Sequence, residues 1–220
     1  MTRRFWAAVV TTVLTTLPMA AIAGTGSSTL YLSGNTTPDA SLSASSPPSG
    51  PLPDFDSSGE DGRRLNRSNK GFLETNDNEY QTFRAPANGL EISGSVSLRL
   101  WVRMKDEDDD QTGVLNAYLA DCAGSSCNLL ASASKTLVPG GPWVETTLSF
   151  PSIVHTYASG RDIFLKIVVD DSSDDHMDIA YYRSSYPSRL IILTDAATTE
   201  TYTTTTTTTV ANTTTTVATG

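Results

Sequence analysis

The chain reads as an all-β protein, an antiparallel β-sandwich, on three observations. Apolar residues alternate with period two, most clearly where Val96, Leu98, Leu100 and Val102 interleave with Ser97, Arg99, Trp101 and Arg103. Clusters of Gly, Pro, Asn, Asp and Ser break the alternation about every dozen residues. No segment carries a helical period of useful length. Short strands of this kind pack as two facing sheets, and a jelly roll is the architecture that their spacing favours. A body of ~140 to 165 residues buries about two-thirds of its unfolded surface, so one core suffices.

The stretch 163–193 is the clearest. Ile163, Leu165, Ile167 and Val169 alternate with Phe164, Lys166 and Val168, whose face is itself mostly apolar. The acidic run Asp170-Asp171-Ser172-Ser173-Asp174-Asp175 then interrupts, because its charges repel and are costly to desolvate. Met177, Ile179 and Tyr181 resume the alternation. Tyr186-Pro187-Ser188-Arg189 makes a corner, and Leu190-Ile191-Ile192-Leu193 is an unbroken apolar run of the kind found in a covered strand.

The chain begins as a targeting segment. Arg3 and Arg4 precede an apolar, Thr-interspersed stretch, and Ala21-Ile22-Ala23 is a small-x-small cleavage site. Residues 1–23 are therefore expected to be a signal peptide, with an uncleaved anchor as the alternative. The formal net charge is −9, and losing Arg3 and Arg4 makes it about −11. This charge argues against nucleic acid or an anionic membrane surface as partner, since both need clustered Lys/Arg, and no later segment has the length to insert into a membrane after cleavage. Residues 24–53 hold a first strand at Thr29-Leu30-Tyr31-Leu32 and then a long Ser/Pro-rich loop with almost nothing to bury. Residues 54–78 are polar and irregular. Further strands follow at residues 79–84, 90–104, 114–120, 129–137 and 143–150, so residues 54–195 form the sandwich. Residues 196–220 are rich in Thr and are expected to form a disordered stalk.

The only cysteines, Cys122 and Cys127, agree with export. In an oxidising compartment they close a tight loop worth about 2 kcal/mol. A redox pair usually has a two-residue spacing, and zinc needs further ligands nearby. The protein is thus expected to be secreted or displayed at the cell surface.

Candidate sites are few. No Gly-x-Ser-x-Gly, His-Glu-x-x-His or phosphate-binding Gly loop occurs. His155 and His176 read as surface or turn residues. The acidic loops are the strong polar clusters: Asp171, Asp174, Asp175 and Asp178 could supply the oxygens that Ca²⁺ requires, as could Asp106, Asp108 and Asp110. A solvated hairpin tip is the plainer reading of both. Trp101, Tyr181 and Tyr182, with Trp143, could form a stacking platform for a sugar, although aromatics in a sandwich more often pack inside. Asn35, Asn66 and Asn212 head glycosylation sequons.

Three pieces carry a family resemblance. Gly94-Ser95-Val96-Ser97-Leu98-Arg99-Leu100-Trp101, the Asp121-Cys122 to Cys127 loop, and Asp174-Asp175-His176-Met177-Asp178-Ile179-Ala180-Tyr181 followed by Tyr186-Pro187-Ser188-Arg189-Leu190 resemble a jelly-roll module of secreted actinobacterial proteins. The first and last pieces are similar, more loosely, to galactose-binding-like C-terminal domains of exported hydrolases. Ile179 stands where the module usually has an aromatic residue. The resemblance implies fold and address more than activity. Together these readings point to a non-enzymatic, secreted or cell-surface module that binds an extracellular glycan or a cell-envelope protein. The alternatives are a Ca²⁺-stabilised accessory domain of an exported hydrolase system and a glycoside hydrolase with converging carboxylates.

Overall fold

The computed structural model describes residues 26–34, 39–49, 62–69, 71–72, 79–104, 111–138, 143–181 and 183–194. These lie within one compact unit, Gly24–Ala196. The leader, the Thr-rich tail, Tyr182, Asp106, Asp108 and Asp110 lie outside the described residues.

Every regular element among the described residues is a strand: β1 (Gly26–Ser33), β2 (Asp39–Ser43), β3 (Gly62–Leu65), β4 (Arg67–Ser68), β5 (Tyr80–Pro86), β6 (Glu91–Gly94), β7 (Val96–Met104), β8 (Gly113–Ala123), β9 (Ser126–Leu137), β10 (Val144–Ser149), β11 (Ile153–Thr156), β12 (Asp162–Asp170), β13 (Met177–Ala180) and β14 (Arg189–Thr194). The all-β, sandwich-like architecture expected from the alternation is present. The sheet is mixed, because β2 runs parallel to β5 and β4 parallel to β12, while the other pairs are antiparallel.

Two strands organise the halves. β12 pairs with β5 on one side and β8 on the other, and β9 extends the sheet beyond β8. β7 has β10 along one edge. Its other edge is shared, with β14 against residues 96–99 and β13 against residues 101–104. β3 lies beyond β13, and β1 beyond β14. β2 joins β1 to β5 and so makes the hydrogen bonding continuous between the halves.

The inward residues of both halves meet in one core. Leu98, Leu100 and Val102 of β7 pack in the same cluster as Leu115 and Leu119 of β8 and Leu165 and Ile167 of β12. The second face of β12 is also covered. Phe164 packs with Ala120, Cys122 and Phe72, while Lys166, only 2% exposed, donates from Nζ to the carbonyl oxygens of Gly71 and Phe72 at 2.8 and 3.1 Å. Lys166 also lies 4.8 Å from the Tyr80 ring centroid. This overlay explains the apolar second face and the single charge within it: a buried ammonium needs acceptors, and chain residues 71–72 supply them.

Several strands were not legible. Residues 33–53 read as loop, yet β2 forms there with Ala40 and Leu42 buried. Its pairing is backbone to backbone with two open strand edges, and needs only two apolar side chains. The first strand, β1, is interior, with neighbours on both sides. The alternation through residues 90–104 is two strands of different sheets, β6 pairing with β11 and β7 continuing after Ser95. Asn88 and Gly89, with φ of 33° and 85°, form the tight turn before β6 that an Asn-Gly pair favours.

Candidate functional site

The pleat of β7 sends Arg99, Trp101 and Arg103 to the face opposite the core. Cross-strand register then sets their neighbours. Arg103 faces Asp178 of β13, and Asp178 faces Arg64 of β3. Asp178 is fully buried. Its Oδ1 accepts from Arg64 Nε at 2.8 Å, and its Oδ2 from Arg64 Nη2 at 3.1 Å and Arg103 Nε at 3.0 Å. One carboxylate thus sits between two guanidinium groups. Arg103 also lies over Trp143, 5.0 Å from its centroid. Tyr186 stands edge-on to Trp101 at 5.2 Å and tilted against Trp143 at 5.8 Å. One rung further, Arg99 faces Arg189 of β14 and Thr147 of β10, and Glu145 takes Arg189 at 3.1 Å.

Ser188 holds this face together. Its hydroxyl accepts the Trp101 N–H at 2.9 Å and donates to the Ala180 carbonyl at 2.5 Å, fully buried where β14 gives way to β13 along β7. The Tyr186-Pro187-Ser188-Arg189 corner is therefore structural: it seats the ring, the bridge and the cation in four consecutive residues. Ser188→Ala leaves a buried donor and a buried acceptor unpaired and is expected to cost about 2 kcal/mol, read from urea unfolding midpoints at unchanged slope.

The acidic residues singled out as metal ligands are placed apart. Asp178 is on the arginine-lined sheet face. Asp174 Oδ2 accepts the Thr112 N–H at 2.5 Å, and Asp175 Oδ1 accepts the His176 N–H at 2.7 Å. Asp171 is exposed at the tip. Among the described residues no group of three or more His, Cys, Asp or Glu side chains could hold a metal ion. Adjacency in sequence misled here, because β13 starts at Met177 and carries Asp178 off the loop.

The loop instead ties itself to its neighbours. Arg67 Nη1 donates to the Ser173 carbonyl at 2.8 Å, and the Arg67 N–H donates to His176 Nδ1 at 3.2 Å. Asp170 Oδ1 accepts from the Ser172 hydroxyl and N–H at 2.6 and 3.0 Å, and Oδ2 from Asn116 at 2.8 Å. The bonds from Ser172 hold the Asp170 carboxyl below its ordinary value of 3.8. A folded carboxyl with a lowered pKa stabilises fully above the unfolded value, and that contribution fades as pH falls through the folded one. Unfolding midpoints should therefore drop less between pH 5 and pH 2.5 for Asp170→Asn than for the parent chain, by a modest amount, because the group is near solvent.

The aromatic expectation divides. Trp101 is half-buried on the outer face beneath Tyr186. Tyr181 is a correction: it is fully buried and packs edge-on against Phe83 at 5.2 Å, so it is core and not a ligand platform. After β13 the chain turns inward at Tyr181, and alternation alone does not show which face closes. Cys122 and Cys127 form a disulfide across directly paired residues of β8 and β9.

A second polar cluster had no sequence signal. Asp121 Oδ1 accepts from Arg161 Nε at 2.6 Å, and its Oδ2 lies 2.9 Å from His155 Nε2. His155 stands edge-on to Tyr157, whose hydroxyl donates to the Ala120 carbonyl at 3.4 Å. Burial, and then the Asp121 charge, raise the Tyr157 pKa, so the phenol stays neutral. The partners are 34 and 40 residues apart: Arg161 arrives where the chain enters β12, which pairs with β8, and His155 arrives on β11, which pairs with β6.

No protein-family model and no curated protein matches the sequence. Solved structures match by fold. A CocE/NonD family hydrolase from Staphylococcus aureus superposes with a TM-score of 0.54 at 12% identity, over 81% of this chain and 38% of its own. An aminopeptidase from a marine sediment archaeon, Thaumarchaeota archaeon, gives 0.56 at 11% identity, over 76% and 36%. An α-amino acid ester hydrolase gives 0.54 at 12% identity, over 77% and 36%. What they share with this chain is the fold. The chain spans less than two-fifths of the length of these three proteins.

This likeness overturns two expectations. The sequence predicts a non-catalytic glycan- or envelope-binding module that is not an enzyme. The three structures are all hydrolases, which places this sandwich among folds found in hydrolytic proteins. The earlier reading rested on missing catalytic motifs.

Proposed function

We propose that the chain acts in hydrolysis, as the β-sandwich part of a hydrolase that cleaves ester or amide bonds beside an α-amino acid. The observation that supports this is the fold shared with an aminopeptidase and an α-amino acid ester hydrolase. The chain covers 36% of the length of each, and on this reading the remainder of the hydrolytic unit comes from another polypeptide segment. The paired cysteines support action outside the cytosol, where such a bond persists. The test uses aminoacyl p-nitrophenyl esters and dipeptidyl p-nitroanilides. Extracellular protein from the source strain lacking this gene is assayed with and without the purified full chain. Addition of the chain is expected to raise turnover several-fold. Unchanged turnover on both substrate classes overturns the proposal.

A further inference from the structure

We infer that the outer face of β7 binds a carboxylate, with Arg99 as its principal contact. Arg99 makes no hydrogen bond or ion pair among the described residues, and its Nε is buried without a partner. Two residues along the same face, Trp101 Nε1 is also buried and unpaired. Both orphan groups are donors, and buried donors are rarely left unmet. The charges around them point the same way. Arg189 lies directly opposite Arg99, and like charges so placed repel. Glu145 is the anion recorded here, and Arg189 already takes it.

Two cations and two orphan donors thus lie beside one carboxylate, on a chain whose formal net charge is −9. The missing partner is an acceptor bearing negative charge. A guanidinium fork matches the two oxygens of a carboxylate. The Trp101 and Tyr186 rings beside it give an apolar body somewhere to lie. Arg99 is partly exposed. The inference needs no turnover and stands apart from the hydrolase reading.

The test titrates the full chain at low ionic strength, followed by tryptophan fluorescence and calorimetry. The probes are N-acetylphenylalanine, its amide and inorganic phosphate. The free acid is expected to saturate and the amide to bind at least tenfold more weakly. Arg99→Gln, with an unchanged circular dichroism spectrum, should weaken the acid at least tenfold. Glu145→Gln, which releases Arg189, should tighten it several-fold. Equal binding of acid and amide would mean a merely aromatic patch, and equal or tighter phosphate binding a general oxyanion site; either overturns the assignment. So does an acid titration that fails to saturate at millimolar concentration, or an Arg99→Gln variant with parental affinity.

Discussion

Asp178→Asn lowers the unfolding free energy by about 3 kcal/mol. The substitution keeps the shape of the side chain and removes its charge, leaving Arg64 and Arg103 beside one another with no carboxylate between them. Removing one member of a buried pair generally costs about 3–5 kcal/mol. The lower end applies, because each arginine keeps about a quarter of its side chain in water. For a chain of this size that is a fall of roughly 6–12 °C in Tm. A second substitution separates charge from packing. Arg103→Gln in the Asp178→Asn background should restore part of the loss, because it removes an uncompensated cation. A loss below 1 kcal/mol for the single variant, or no recovery in the double, would show that the carboxylate does not hold these strands.

Tyr181→Ala is expected to cost about 3–5 kcal/mol, the range for emptying a large aromatic site in a core. Tyr181 is fully buried and its ring meets Phe83 edge-on, so truncation leaves a cavity that neighbouring strands cannot collapse to fill. The same variant tests its displaced role as a ligand platform. In conditions where it remains folded, its affinity for N-acetylphenylalanine should match the parent chain. An unfolding free energy unchanged by the substitution would place the ring at the surface.

Local signals carried far in some places and stopped in others. The 163–169 alternation located β12, and the apolar character of its second face anticipated burial on both sides. The run at residues 96–104 gave β7 its inner and outer faces residue by residue. Partnership was what the sequence could not express. Asp178 looked like a member of an acidic loop because it follows Asp174 and Asp175. Its true neighbours, Arg64 and Arg103, are 114 and 75 residues away. Lys166 looked anomalous until residues 71–72 were seen to cover it. Ser188 sat in a noted motif, yet nothing local marks a hydroxyl as a bridge between strands. β2 was missed for the opposite reason: backbone pairing made it, and its composition argued for a loop. The charged rungs of the outer face depend on register, which pattern alone leaves open.

The pairing of β1 with β14 has a kinetic consequence. The first described strand of the unit has β2 along one edge, but along the other it pairs only with the last, from Gly26 against Thr194 to Tyr31 against Arg189. β7 likewise waits for β13 and β14, its partners along one edge. A nascent chain therefore cannot complete its hydrogen-bond network until the final strand has left the ribosome, and the closing contacts span most of the polypeptide. Such high contact order puts folding on the slow side, with times of milliseconds to seconds typical of all-β topologies.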